Sequence, residues 1–238
     1  MRYGLRVCDS IRGAYMKLFV DSANLTEIEA ALSRGFAFGV TTNPSILAKE
    51  EKRDYREIVR DIINLITKFG PPLPLSVEVF TMDPDEMIRQ AEELVTHFGD
   101  YKGLTIKVPV GWDELRLIAR LTDMHIPVNA TCCMSFNQAV MALDAGARYV
   151  SLFYGRIRDT GYDAGEIVSQ VRAAMDRSGS GAEIIVGSIR HIMDINEAIQ
   201  AGAHIVTVPP PFLVKMCQHP KTDEVVAQFC NDFAKWMS

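Results

Sequence analysis

Lys107 lies within the run Gly103-Leu-Thr-Ile-Lys-Val-Pro-Val110. The run is apolar and β-branched, bounded by glycine and proline, and it predicts a short buried strand. An ammonium group is costly to bury without a partner. Desolvation lowers the pKa of a lysine, and a neutral amine is a nucleophile toward carbonyl carbon, so a strand lysine is a candidate for Schiff-base chemistry. Taken alone, a structural or edge-strand lysine accounts for the same pattern. Other polar residues stand at comparable places. Asp21 follows Phe19-Val20, Glu78 sits between Val77 and Val79, and Thr41-Thr42-Asn43-Pro44 ends another apolar run. Asn129-Ala-Thr131, Ser151-Leu-Phe153, Gly155-Arg156 and Gly187-Ser-Ile-Arg190 come later. Each has a plain structural reading: Asp21 or Ser188 as a helix cap, Thr41 to Pro44 as turn chemistry, Glu78 as the counter-ion of Lys107, the arginines as surface charges, and Cys132-Cys133 as small core residues. Together they say more. Lysine, aspartate and glutamate suit carbonyl chemistry with proton transfers. Arg156 and Arg190, with Ser151 and Ser188, suit a phosphate, which arginine binds with its fork of donors.

Convergence of residues so far apart requires a particular scaffold. The chain alternates short apolar segments with amphipathic ones throughout. Strands are expected at Lys17–Val20, Gly39–Thr41, Leu75–Phe80, Leu104–Val108, Val128–Ala130, Tyr149–Phe153, Glu183–Gly187 and Ile205–Val208. Helices are expected at Glu27–Ser33 behind a Thr26 cap, and at Tyr55–Phe69, Asp85–Phe98, Asp113–Thr122, Ser135–Ala145, Glu166–Asp176, Ile192–Ala201 and Asp223–Trp236,. Gly70, Gly99, Gly146 and Gly202 read as helix stops,. Eight βα units predict an α/β fold, a single-domain (β/α)8 TIM barrel over residues 16–238, behind an N-terminal extension of residues 1–15. A doubly wound open sheet is the alternative, but the first strand runs into Asp21-Ser-Ala-Asn24 without a glycine-rich phosphate loop,. In a barrel the active site lies at the C-terminal ends of the strands. Period-2 alternation there puts Glu78 and Lys107 inside, with Val77, Val79, Ile106 and Val108 toward the helices.

Composition narrows the function classes. The 238 residues are 48% hydrophobic and 23% charged, enough for a sizeable core,. A formal charge of -5 without a basic run argues against nucleic-acid binding,. No apolar stretch is long enough for a membrane span, and residues 1–15 lack the apolar core of a secretory signal. Cys8, Cys132, Cys133, Cys217 and Cys230 form no C-x-x-C pair, which points to a reducing cytoplasm rather than a disulfide framework,. No cofactor is expected, and the histidine and cysteine spacing implies no metal site.

From Met16 to Trp236 the chain resembles the small transaldolases and their relatives, the fructose-6-phosphate aldolases. The resemblance rests on Phe19-Val-Asp21, Gly39-Val-Thr-Thr-Asn-Pro-Ser45, Ser76-Val-Glu-Val79, Ile106-Lys-Val-Pro109, Asn129-Ala-Thr131, Gly155-Arg-Ile157, Gly187-Ser-Ile-Arg190 and Thr207-Val-Pro-Pro210 through His219-Pro220. It implies that Lys107 forms the Schiff base and that Asp21 takes the proton of the substrate's C4 hydroxyl. It also implies that Glu78 and Thr131 hold a catalytic water. Thr41, Asn43, Asn129 and Ser151 would position hydroxyls, with Phe153 beside the intermediate, and Arg156, Ser188 and Arg190 would hold the phosphate. The aldolase branch carries glutamine at the Glu78 position and tyrosine at the Phe153 position, so both residues favour a transaldolase. Cys132-Cys133, Ile189, Tyr154 and the Pro209–Pro211 run depart from the common pattern. Small members of the family form rings of five or ten subunits. The stripe Val225, Val226, Phe229, Phe233 and Trp236 suits a final helix packed either on a neighbouring subunit or on its own barrel,. A catalytically silent sugar-phosphate-binding barrel is the alternative of a different class.

Overall fold

A computed structural model describes residues 16–237, so the N-terminal extension expected over residues 1–15, with Cys8, lies outside the described residues. Eight strands appear where the alternation predicts them: β1 (Lys17–Asp21), β2 (Ala37–Thr41), β3 (Leu75–Glu78), β4 (Leu104–Pro109), β5 (Val128–Cys133), β6 (Tyr149–Phe153), β7 (Glu183–Gly187) and β8 (Ile205–Val208). All pair in parallel in sequence order, and β8 returns to β1, closing the barrel. The register sets Glu78 beside Lys107, Lys107 beside Asn129, and Asp21 beside Thr41.

The expected helices are α1 (Leu25–Leu32), α3 (Tyr55–Phe69), α4 (Pro84–Phe98), α5 (Glu114–Asp123), α6 (Phe136–Asp144), α8 (Ala164–Ser178), α9 (Ile192–Gln200) and α11 (Pro220–Met237). Their starts follow side-chain oxygens that accept the first free backbone N–H groups, among them Asn24, Asp54, Asp83, Ser135 and Asp163,. Asn24, not Thr26, caps α1; Thr26 lies inside that helix, and Asp21 stays in its strand. Gly99 ends α4 in ordinary helical geometry rather than a left-handed stop. Three short helices at the strand ends are additional: α2 (Pro44–Leu47), α7 (Tyr154–Asp159) and α10 (Pro210–Met216).

The apolar core has two parts. A continuous outer layer joins the helix-facing strand residues, Ile106 and Val108 among them, to stripes such as Ile58, Val59, Ile62, Leu65 and Ile66 of α3. Each such side chain, fully buried, contributes about 1.5–3 kcal/mol. Inside the barrel, Phe19, Tyr149, Ile185 and Ile205 form a separate plug with Phe38 against it. Gly39 makes room for it, since a Cβ there would sit 2.6 Å from the Phe19 ring. One step nearer the C-terminal mouth, the same inward positions turn polar. The last helix, α11, buries none of its residues and leaves Phe229 65%, Phe233 61% and Trp236 78% exposed.

Candidate active site

The polar interior is built by period-2 alternation along the strands, beginning with three that also form the plug. β1 offers Asp21 two residues after Phe19, β6 offers Ser151 after Tyr149, and β8 offers Thr207 after Ile205. β2 adds Thr41, β3 adds Ser76 and Glu78, β4 adds Lys107, and β5 adds Asn129 and Thr131. These groups form three bonded sets.

Lys107 is 5% exposed and Glu78 7%. The Lys107 Nζ donates to Glu78 Oε2 at 2.8 Å and to the Thr42 carbonyl at 2.9 Å. An ion pair this deep survives because each charge has a matched partner. Behind it, the Tyr55 hydroxyl donates to the Glu78 carbonyl at 3.4 Å and its ring packs edge-on against Phe80. Burial pushes the Tyr55 phenol well above its ordinary range, so the residue stays a donor,.

The second set is a chain of hydroxyls ending on Asp21. The Thr41 Oγ1 donates to Asp21 Oδ1 at 2.7 Å and lies 2.5 Å from the Thr207 Oγ1. A hydroxyl has one proton to give, so while Asp21 is ionised Thr207 donates to Thr41. Once Asp21 takes a proton, the chain can reverse. Burial raises the Asp21 pKa above the usual carboxylate value; the Thr41 hydrogen bond, Lys107 and Lys49 pull it down, and Glu78 pushes it up. A carboxyl displaced in this direction suits a group that must both accept and return a proton near neutrality.

The third set is a ladder of neutral groups. The Asn129 Nδ2 donates to Ser76 Oγ at 3.2 Å, and Ser151 Oγ donates to Asn129 Oδ1 at 2.7 Å. Thr131 stands apart: among the described residues, its hydroxyl is the buried side-chain oxygen without a hydrogen-bond partner. The neighbouring Cys132 thiol is close enough to be influenced by it, but burial dominates and raises the Cys132 pKa. A buried hydroxyl left unpaired is unusual and marks a place for a polar guest.

The remaining candidates occupy the rim. Asn43 turns its side-chain oxygen to the Ile46 N–H and caps α2, so part of its bonding capacity is already used for turn chemistry. Phe153 ends β6, and the exposed Arg156 guanidinium lies 5.9 Å from the centre of its ring. The Gly155 N–H donates to the Ser188 carbonyl at 3.1 Å. Ser188 is not a helix cap; His191 takes that place for α9. The exposed Arg190 is paired with Asp159. Ser188 and Cys132 both hold φ of 59°, in the left-handed region that non-glycine residues rarely adopt,; Ser188 directly follows β7, and Cys132 lies near the end of β5, where the register with β6 shifts.

Thr207, Ser76 and the Thr42 carbonyl belong to the site but are not among the residues expected from sequence. The eighth strand is richer than its apolar sequence suggests. Thr207 and Ser76 share the inward alternation of Ile205 and Glu78, and that period was the available signal. A backbone carbonyl leaves none. Among the described residues no cluster of three His, Cys, Asp or Glu side chains is placed to hold a metal ion, and no helix is long and apolar enough to cross a membrane.

Residues 18–237 match the family described as Transaldolase/Fructose-6-phosphate aldolase. A probable transaldolase of Carboxydothermus hydrogenoformans is 39% identical over 218 residues, covering 92% of this chain and 98% of the relative. Probable transaldolases of Alkaliphilus metalliredigens and Dehalococcoides mccartyi are 38% and 37% identical over the same shares. Among solved structures, a putative lactate oxidase of Pediococcus acidilactici superposes with a TM-score of 0.55 at 14% identity, over 82% of this chain and 62% of the other. A mandelate oxidase variant gives 0.53 at 16%, over 83% and 64%. At such identities these two likenesses speak to the barrel alone.

Proposed function

The chain belongs to the transaldolase/fructose-6-phosphate aldolase family, enzymes of the class I aldolase kind, and from that premise we propose that it transfers a dihydroxyacetone unit between sugar phosphates through a Schiff base on Lys107. The observation that carries the reading is the buried Lys107–Glu78 pair beside the Asp21–Thr41–Thr207 chain. Glu78 takes a proton from the ammonium group, and the neutral amine adds to the C2 carbonyl of fructose 6-phosphate or sedoheptulose 7-phosphate. Glu78 and Thr131 carry protons as the carbinolamine loses water to become the imine. Asp21 accepts the C4 hydroxyl proton, the C3–C4 bond breaks, and its electrons pass to the imine nitrogen, leaving an enamine on Lys107. The released aldose phosphate departs. An acceptor aldose phosphate enters, the enamine carbon attacks its carbonyl, and Asp21 returns the proton to the new hydroxyl. Hydrolysis of the imine frees the product and Lys107.

Thr41, Asn43, Asn129 and Ser151 hold the substrate hydroxyls in this reading, and Arg156, Ser188 and Arg190 hold its phosphate. No cofactor takes part. The setting we propose is the cytoplasm, in keeping with the free thiols of Cys132, Cys133, Cys217 and Cys230,.

The deciding experiment incubates the protein with fructose 6-phosphate, with and without erythrose 4-phosphate. Glyceraldehyde 3-phosphate and sedoheptulose 7-phosphate formed only with the acceptor establish the transfer. Free dihydroxyacetone released without acceptor makes the enzyme an aldolase, and the absence of any covalent adduct makes it a silent binder.

Phe153 supports transfer over release. A phenyl ring beside the intermediate neither orients water nor donates a proton, whereas a phenol does both. Phe153→Tyr is therefore expected to raise the ratio of free dihydroxyacetone to transfer product severalfold. An unchanged ratio refutes this role.

The exposed apolar stripe of α11 is, we propose, the contact with a neighbouring subunit in a pentamer or decamer. Val226, Phe229, Phe233 and Trp236 stand exposed along one face of the helix, the kind of contiguous apolar surface that marks a contact. Removing residues 233–238 is expected to shift the light-scattering mass to a smaller species, and an unchanged mass argues against the contact.

A further inference from the structure

We propose that Asp194 is the positioning residue of the phosphate-binding rim, locking α7 and the β7–α9 loop into one unit so that Arg156, Ser188 and Arg190 face a single anion. The inference rests on the assignment of those three residues to the substrate phosphate. Asp194 lies in the first turn of α9 and is 1% exposed. Its two oxygens serve different elements. Oδ2 accepts the backbone N–H groups of Arg190 at 2.8 Å and His191 at 2.9 Å. Oδ1 accepts from Arg158 Nη1 at 2.5 Å, and Arg158 belongs to α7.

Capping α9 requires only the first of these. A capping carboxylate bonds to N–H groups of its own helix start, whereas the bond to Arg158 reaches a separate element. Other links join the same two pieces. The Gly155 N–H meets the Ser188 carbonyl, Arg190 pairs with Asp159 at the end of α7, and the Tyr154 hydroxyl donates to Glu197 of α9 at 2.9 Å. The two backbones approach so closely that a Cβ on Gly155 would stand 2.3 Å from the Ser188 carbonyl oxygen and 3.0 Å from the Arg190 side chain. Ser188 itself keeps a left-handed backbone, which persists only where its surroundings hold it,. Arg156 on one piece and Ser188 with Arg190 on the other thus keep a fixed separation. Preformed spacing of this kind spares the ordering cost of a planar, two-armed grip on an anion.

Asp194→Asn tests the assignment. Asparagine keeps an oxygen for the backbone N–H groups but turns an NH2 toward Arg158. In the transfer assay, KM for fructose 6-phosphate is expected to rise about tenfold, a loss on the scale of one charge-assisted hydrogen bond, with kcat within about twofold. The inhibition constant of inorganic phosphate should rise by the same factor, while kcat/KM for unphosphorylated fructose stays put. A merely structural role would depress both donors alike. Arg158→Met, on the surface, leaves the backbone bonds of Asp194 intact and removes its own links from α7 to Asp194 and Glu197; it should move the same quantities less, and it decides the matter if Asp194→Asn does not fold. Arg190→Ala guards the premise. If Arg190→Ala raises KM for the phosphorylated donor while Asp194→Asn and Arg158→Met do not, the role of Asp194 falls. If none of the three separates the two donors, the assignment of the rim to phosphate falls with it.

Discussion

Lys107→Met is expected to abolish transfer, lowering kcat by roughly 10⁴-fold or more, the scale on which loss of a covalent nucleophile acts. Borohydride added during turnover should give a mass adduct on the parent enzyme and none on the variant. Methionine fills similar volume but leaves Glu78 Oε2 and the Thr42 carbonyl without their shared donor. Breaking a buried ion pair on one side costs on the order of 3–5 kcal/mol, because the other charge stays behind. The variant should therefore also unfold at lower denaturant concentration. Adding Glu78→Gln removes the stranded charge, so the double variant should regain much of that stability and none of the activity. That outcome would separate activity, lost with the lysine, from stability, lost with the pairing. Residual turnover within tenfold of the parent in Lys107→Met would refute the Schiff-base mechanism.

Asp21→Asn should cost roughly 10²–10⁴ in kcat, the range for a positioned acid–base group, while leaving imine formation intact. Dihydroxyacetone with borohydride should still label the variant on Lys107; a variant that neither turns over nor labels would move Asp21 out of its assigned step. The direction of the Asp21 pKa adds a second readout. Burial raises it above the unfolded value, so the folded protein holds this proton more tightly than the unfolded chain does. The corresponding stability is present below the unfolded pKa and is lost as pH rises through the folded one. At neutral pH the ionised carboxylate is a burden that asparagine lacks. Asp21→Asn is expected to raise the unfolding temperature at pH 7, with the advantage shrinking toward pH 4. An advantage that grew in acid would contradict the raised pKa.

The strands were legible because short apolar segments alternate with amphipathic ones and, from β2 to β8, glycine or proline marks their boundaries, and legible strands place their inward residues. Glu78 and Lys107 stand out by charge in apolar company. Thr207 and Ser76 obey the same alternation, but a hydroxyl draws no attention in a β-rich segment, and its partner lies on another strand. The support of the rim was hidden for a different reason. α7 and α10 are six and seven residues long, too short to show a helical period; α7 begins directly after β6, and α10 begins inside the Pro209–Pro211 run,. The bonds of Asp194 to Arg158 and of Asp159 to Arg190 join residues whose nearness only the closed barrel creates. Thr26 drew the start of α1 two residues late, because it and Asn24 are both capping types and only the backbone turn chooses between them.

The seam between β1 and β8 bears on the order in which the molecule matures. Asp21 is synthesised early and Thr207 late, and they meet through Thr41 only when the last strand seats itself against the first. A nascent chain that has already built Lys107 and Glu78 still lacks that closure and exposes strand edges, the surfaces along which unfinished sheets capture one another. Seating Ile205–Val208 removes those edges and completes the hydroxyl chain to Asp21 in the same event. Closing the exposed strand edges and completing the hydroxyl chain to Asp21 thus depend on the same seam.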